Sequence, residues 1–115
     1  MNELVSIVVP VYHAERYIRD TLDSVRNQTY TMWELLLVAD GEEDPTIPVI
    51  QQYVEEKKEE RIRLLIQKEN RGAALARNRG VSQAQGRYIA YLDADDLWKE
   101  DKLQKELDFL TNKAA

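Results

Sequence analysis

The sequence predicts an α/β fold, a Rossmann-like doubly wound and mostly parallel sheet with the order β-α-β-α-β-α-β-α. Two observations predict it. Four short apolar runs are nearly continuous, which is typical of strands buried on both faces. The segments between them are long enough for one helix each, which favours right-handed parallel crossovers. The four runs are Val5–Val11, Trp33–Ala39, Ile62–Ile66 and Tyr88–Leu92.

The intervening segments have apolar residues at helical spacing. These positions are Ile18, Leu22 and Val25, then Ile47, Ile50 and Val54, and, after the last strand, Leu103, Leu107 and Leu110. The segment Ala73–Ala84 is rich in small residues, so its helix is expected to pack closely on the sheet. Pro10 lacks an amide donor, so pairing of the first strand is expected to stop near it. Residues 112–115 are expected to form a tail.

Composition narrows the class of protein. The chain has 115 residues, a formal charge of −5 and no cysteine, and 43% of its residues are hydrophobic. It can bury a core as one domain or part of one, and a disulfide scaffold or a thiolate metal site is excluded. Its acidity argues against nucleic acid as a partner. No targeting signal or membrane span is visible in the sequence, so we expect a cytoplasmic location, including the inner face of the membrane.

In an open α/β sheet, ligands bind beyond the carboxyl ends of the strands, where the strand order reverses. The residues expected there are Tyr12, His13 and Glu15, then Asp40, Gly41, Glu42, Glu43 and Asp44, then Asn70, Arg71 and Gly72, and finally Asp93, Asp95 and Asp96. This edge is strongly acidic. An anionic ligand therefore needs a local attraction such as a cation, and the alternative is a set of solvated polar turns.

The most distinctive element is Asp93-Ala94-Asp95-Asp96, directly after an apolar run. Ionising three crowded carboxylates is costly, and a hard divalent cation such as Mg2+ or Mn2+ would relieve their repulsion. It could then hold a diphosphate. The alternative is an acidic turn in which Asp95 or Asp96 caps a helix carrying Leu97 and Trp98.

Three other features have both a functional and a structural interpretation. Gly72 could bring helix amides to an anion and Arg77 could contact a phosphate or a base, or the arginine could simply be a solvated helix residue. Asp40-Gly41 could bind a nucleoside or form a turn. His13 is the single histidine, and we interpret it as a loop residue. P-loop, dinucleotide and nucleophile-elbow motifs are absent.

Several blocks resemble family 2 glycosyltransferases, whose fold is GT-A. They are Val5-Ser6-Ile7-Val8-Val9-Pro10-Val11-Tyr12, Ala14-Glu15-Arg16-Tyr17-Ile18, Ser24 with Gln28-Thr29-Tyr30, Trp33-Glu34-Leu35, Asp40-Gly41, Asn70-x-Gly72, Ala76-Arg77-Asn78-x-Gly80, Gly86-x-Tyr88-Ile89-Ala90 and Leu92-Asp93-Ala94-Asp95-Asp96. Each block is weak alone, but together they follow the family's order and cover almost the whole chain. The resemblance implies transfer of a sugar, with inversion, from a nucleoside-diphosphate sugar to an acceptor hydroxyl. A UDP-sugar is the favoured donor, and the acceptor is a glycan or is lipid-linked.

The resemblance also implies residue roles. Asp95 would coordinate Mn2+ or Mg2+ on the donor diphosphate, and Asp93 would contact the ribose or assist the metal. The other implied donor-binding residues are Pro10, Tyr12 and Glu15 around the nucleoside, with Asp40 and Arg77 around the base and phosphates. Residues 1–111 would form the nucleotide-sugar-binding half of an incomplete GT-A domain.

This sequence departs from the family pattern at two positions. Ala39 stands where the family has the first of two acids, which commonly contacts the base, and His13 stands where Asn is common. The resemblance places the catalytic base and most of the acceptor site beyond the metal motif, so the catalytic residue is unknown.

We hypothesise that this chain is the donor-binding half of such a transferase. The alternatives are a non-catalytic nucleotide-sugar-binding or assembly module and a metal-dependent phosphatase or nucleotidyltransferase that uses the same acids. A homo-oligomer is also expected, because the sheet would expose an edge strand.

Overall fold

A computed structural model describes residues 3–114, with side chains for residues 3–110. The predicted order of elements is confirmed. The strands are β1 (Val5–Val11), β2 (Trp33–Asp40), β3 (Ile62–Gln67) and β4 (Tyr88–Tyr91), and the helices are α1 (Ile18–Arg26), α2 (Thr46–Lys57), α3 (Ala73–Gln83) and α4 (Lys102–Ala114). Residues 112–114, which we expected in a tail, extend α4. No helix within residues 3–114 has the length and apolar character required to cross a membrane.

The four strands form one parallel sheet in the order β3-β2-β1-β4. The chain runs outward from β1 through β2 to β3, and then returns across the sheet to place β4 on the other side of β1. The strand order therefore reverses between β1 and β4. In a doubly wound sheet this reversal opens a crevice at the carboxyl ends of the strands, where ligands bind.

The main core lies on one face of the sheet, beneath α1, α2 and α4. Alternate residues of β1, including Ile7 and Val9, point into it, as strand pleating requires. The helix positions identified from sequence periodicity supply much of the opposing surface. The fully or nearly fully buried ones are Ile18, Leu22, Val25, Ile50, Leu103 and Leu107. Leu110 is exposed, so the predicted apolar stripe of α4 is buried only in its first two turns.

The other face is covered by α3, which packs closely on β1 and β2. A β-carbon added at Gly80 would lie only 2.5 Å from Cγ1 of Val8. The small residues of this helix are therefore needed where the helix backbone meets the sheet, as the sequence predicted. The buried Ala76 lies one turn earlier in the same helix.

The expectation of strands buried on both faces is confirmed for β1 and β2 but is wrong for β3 and β4. Most residues of β3 are half-buried, and Ile89 and Tyr91 of β4 are exposed. Both strands lie at edges of the described sheet, where α3 does not fully cover them. An apolar run in the sequence does not distinguish a central strand from an edge strand.

Pairing of β1 stops near Pro10 on one side only. The pairing of β1 with β2 continues to Val11, but that with β4 stops at Val8. The Val8 carbonyl accepts from Leu92 on the β4 side at 3.2 Å. Because residues two apart in a parallel strand bond toward the same neighbour, the missing donor of Pro10 faces β4, where the ladder has already ended.

Candidate functional site

A cavity of about 500 Å³ opens at the carboxyl edge of the sheet, at the predicted reversal of strand order. Four segments form it: the loop after β1, the end of β2, the start of α3 and the turn after β4. The lining residues are Pro10, Val11, Tyr12, His13, Ala14, Tyr17, Asp40, Asn70, Gly72, Ala73, Arg77, Asp93, Ala94 and Asp95. Its volume lies in the usual range of roughly 300–1,000 Å³ for small-molecule sites.

The loop after β1 is pinned to the start of α2. The amide of His13 donates to Oδ2 of Asp44 at 2.8 Å, and the amide of Ala14 donates to Oγ1 of Thr46 at the same distance. Oδ1 of Asp44 in turn accepts from the Thr46 amide at 2.8 Å. These bonds fix a loop in which His13 has a positive φ of 48°, a conformation that non-glycine residues seldom adopt.

Asp44 is only 5% exposed. Burial raises the pKa of its carboxyl group, but the hydrogen bonds from Thr46 and His13 outweigh burial and hold that pKa below its ordinary value. The ionised carboxylate is therefore part of the folded structure. Asp44 was predicted only as one of the acidic strand-end residues, and its role in holding the loop was not predicted. The available signal was Asp-x-Thr at the start of a helix.

Asp40 holds the loop between β3 and α3 by accepting backbone amides, as Asp44 does for the loop after β1. Its two carboxylate oxygens accept the amides of Arg71 and Gly72 at 2.6 and 2.7 Å, and Oδ1 also accepts from Gln67 Nε2 at 3.1 Å. The carboxylate thus ties the end of β2 to the chain entering α3. Asp40 borders the cavity, but it is only 5% exposed.

The turn after β4 presents the exposed carboxylates. The amide of Asp96 donates to the Asp93 carbonyl at 3.0 Å and closes the turn. Asp93 and Asp95 line the cavity, whereas Asp96 lines a neighbouring groove with Leu97.

The alternative interpretation, in which Asp95 or Asp96 caps a helix carrying Leu97 and Trp98, is wrong. Those two residues lie in irregular chain, and α4 begins only at Lys102. The turn is instead held to α1 and to the core.

The donor set of this turn fits a hard divalent cation. Asp93 and Asp95 offer carboxylate oxygens to the same cavity, and Mg2+ and Mn2+ prefer such ligands. Two carboxylates leave coordination positions for phosphate oxygens of a ligand, which is the usual pattern for Mg2+ in nucleotide sites.

A second group of side chains with atoms suited to a metal lies at the rim of the cavity, around His13. Within the described residues, His13, Glu15 and Asp44 bring one ligand atom each to within 4.8 Å of one another. Both oxygens of Asp44 already accept backbone amides. Because Asp44 is buried and these bonds hold the loop after β1, we assign no metal to this group.

Positive charge reaches the cavity from α3. Arg77 lines it, and Nη2 of this residue lies 3.9 Å from Oδ1 of Asp93. Gly72 directly precedes the first residue of this helix, and its φ of 95° suits glycine. Arg71 instead points to Glu69, at 3.6 Å.

The structure therefore brings together six of the seven predicted site residues. Pro10, Tyr12, Asp40, Arg77, Asp93 and Asp95 line one cavity. Glu15 lies beside it, close to His13 and Asp44. Tyr17 is a lining residue that the sequence analysis did not select as a candidate.

The sequence model described as glycosyl transferase family 2 matches residues 6–115. Among curated proteins, the chain is 48% identical to TuaG of Bacillus subtilis (strain 168), whose name assigns it to teichuronic acid biosynthesis, over 97% of this chain and 44% of TuaG. It is 42% identical to the Escherichia coli protein WfgD, named UDP-Glc:alpha-D-GlcNAc-diphosphoundecaprenol beta-1,3-glucosyltransferase, over 93% of this chain and 41% of that protein. The chain thus spans less than half the length of these relatives.

A solved structure has the same fold. It is a mannosyltransferase from Pyrobaculum calidifontis in complex with GDP-Man and Mn2+. The similarity has a TM-score of 0.90 at 27% identity and covers 96% of this chain and 33% of the mannosyltransferase.

Proposed function

Because the chain belongs to glycosyl transferase family 2, we propose that it supplies the donor-binding half of an inverting, metal-dependent glycosyltransferase. That enzyme transfers a sugar from a nucleoside-diphosphate sugar to an acceptor hydroxyl. The observation that carries the proposal is the cavity at the strand reversal, where six predicted donor-site residues from three strand ends and one helix meet.

Charge is the main physical argument for a metal. The chain has a formal charge of −5, and a nucleoside diphosphate is itself an anion, so direct binding at this acidic edge would be repulsive. In the proposed complex, Asp95 and Asp93 hold Mn2+ or Mg2+. Bound there, the cation offsets charge on the departing nucleoside diphosphate.

The remaining cavity residues divide between the nucleoside and the phosphates. Pro10, near the end of β1, and Tyr12, in the pinned loop after β1, form a wall for the nucleoside. Arg77 approaches Asp93 from α3 and is proposed to neutralise a phosphate oxygen beside the metal. Asp40 is proposed to act on the base side, where it holds the loop before Gly72. For Glu15 we propose a contact with the nucleoside from the rim of the cavity.

Two further assignments come from the relatives. The E. coli relative, named for a UDP-Glc donor and a diphosphoundecaprenol-linked sugar, supports a UDP-sugar and a lipid-linked or glycan acceptor here. A lipid-linked acceptor supports the proposal that sugar transfer takes place at the inner face of the membrane. Transfer also needs a general base, and we assign none among these residues.

Self-association is proposed for the edge of the described sheet. β4 pairs with β1 on one side, and its other side is an edge of the described sheet. Its residues Ile89 and Tyr91 are exposed. An exposed strand with apolar side chains favours pairing with another copy. A monodisperse monomer in light scattering would contradict this.

Titration of UDP by calorimetry, with and without Mn2+, tests the main proposal. Binding is expected to strengthen with Mn2+, and Asp95→Ala should remove the metal-dependent part. The matched control is Asp96→Ala, which deletes the neighbouring carboxylate on the far side of the turn and should retain it. Two outcomes would refute the proposed metal site: equal losses of Mn2+-dependent UDP affinity in both variants, or a wild-type UDP affinity that is the same with and without Mn2+.

A second candidate is a non-catalytic nucleotide-sugar-binding or assembly module. The observation behind it is that Ala39 is fully buried and replaces an acid, while the carboxylate of its neighbour Asp40 is bonded to the backbone. Sugar transfer by the full-length protein would exclude this candidate. Metal-dependent UDP binding without any turnover would support it.

A further inference from the structure

We propose that Thr21, on α1, is a positioning residue for the carboxylate pair Asp93 and Asp95. Its hydroxyl group holds the peptide between the two aspartates and so sets their direction into the cavity. The inference rests on the proposed function, because it concerns the side chains that would hold the metal.

The contact joins residues that are 73 positions apart in the sequence. Oγ1 of Thr21 donates to the Ala94 carbonyl at 2.7 Å. A second acceptor, the Tyr17 carbonyl one helical turn earlier, lies at 3.3 Å. A hydroxyl has one proton, so the shorter contact takes it. Thr21 is fully buried, and water therefore has little access to replace this bond.

The chain after β4 is held in place by hydrogen bonds from α1 and from the residues that follow α1. The strand ends at Tyr91, and no regular element follows until α4 begins at Lys102. Residues shortly after the end of α1 hold the later part of this segment. Nε2 of Gln28 donates to the Lys99 carbonyl at 2.7 Å, and the Thr29 amide donates to Glu100 at 2.8 Å. Thr21 reaches the carboxylate turn itself.

Ala94 is well placed to transmit this restraint. Its side chain packs against the core, while the aspartates on either side line the cavity. Two like charges at a short separation repel each other and favour a splayed turn. A bond to the central carbonyl opposes that movement. Groups that hold metal ligands in place commonly change metal affinity by roughly 10- to 100-fold when they are removed.

The test compares Thr21→Val, which removes the hydroxyl at nearly constant volume, with Thr21→Ser, which keeps it. Ser24→Ala is the matched control. It removes a hydroxyl one turn along the same helix that donates to the Thr21 carbonyl and not to the turn. For each protein we would measure UDP affinity with and without Mn2+ by calorimetry, together with the unfolding midpoint in urea.

In Thr21→Val the Mn2+-dependent affinity should fall at least about fivefold, the effect of one hydrogen bond. Affinity without Mn2+ should not change. Thr21→Ser should recover most of the loss, and Ser24→Ala should resemble the wild type. An unchanged metal-dependent affinity in Thr21→Val, or an equal loss with and without Mn2+, would overturn the inference.

Hydrogen exchange separates this inference from the proposed function. The Asp96 amide donates across the turn to Asp93, so its exchange rate reports the order of the turn without any ligand. It should exchange at least about fivefold faster in Thr21→Val than in Thr21→Ser. A wild-type chain that fails to bind UDP would overturn the proposed function alone, whereas equal exchange rates would overturn the role of Thr21.

Discussion

Four of the five aspartates at the carboxyl edge of this sheet form two contrasting pairs. Asp40 and Asp44 are each 5% exposed, and each carboxylate accepts at least two backbone amides. Asp93 and Asp95 are exposed and line the cavity. The first pair holds loops in place, and the second pair is available to a ligand. An acidic sheet edge therefore need not be a single binding site.

The largest expected effect is on stability, from the buried pair. Asp40→Ala leaves the Arg71 and Gly72 amides without their acceptor, so we expect a loss of about 3 kcal/mol in the free energy of unfolding. Asp95→Ala should change it by less than about 0.5 kcal/mol, because an exposed side chain makes few contacts. Urea unfolding measures both. Similar losses in the two variants would remove the distinction between the pairs.

Acid should weaken the loop held by Asp44. Since folding lowers its pKa, the folded state binds this proton less readily than the unfolded state. Its stabilisation is therefore complete at neutral pH and is lost as the pH falls from the ordinary value of 3.8 through the lower folded-state pKa.

Asp44→Asn removes this titration. The variant should be less stable at neutral pH by about 2 kcal/mol, and its stability should fall less steeply between about pH 5 and pH 3. Unfolding midpoints across this range provide the measurement. A variant with the same slope as the wild type would show that other groups cause the acid sensitivity.

The smallest effect on stability is expected at Arg77. Its contact with Asp93 is long, at 3.9 Å, and both side chains are substantially exposed, at 41% and 65%. Arg77→Met should therefore change stability by less than about 0.5 kcal/mol. It should still weaken UDP binding severalfold if the guanidinium contacts a phosphate.

Arg79→Met is the control for Arg77. This residue lies two positions along α3 and donates instead to the Ile66 carbonyl at 2.9 Å. The Arg79→Met substitution should leave UDP affinity unchanged. Equal affinities for UDP in the two variants would place Arg77 outside the binding site.

Much of the fold could be read from the sequence. Apolar runs and helical periodicity are local properties, so the four strands and α3 were located to within one residue, and apolar positions of the other three helices were identified without their ends. The ends of those strands then identified Tyr12, Asp40, Asp93 and Asp95, which share the cavity. Arg77 was selected on the helix after the third strand, and Pro10 was selected from the resemblance. Glu15 was also selected at a strand end, but its place at the rim depends on how the loop after β1 is pinned to α2.

The order of elements, the acidic edge and the resemblance to a family depend on residue type and spacing along the chain, so they could be predicted without a structure. Which acids are buried and which face the cavity depends on hydrogen-bond partners from distant segments, so it could not. Asp40 meets Arg71 and Gly72 across 31 and 32 residues, and Thr21 meets Ala94 across 73. Such contacts form only when β2 packs beside β3 and α1 packs behind the turn after β4, which local periodicity does not encode.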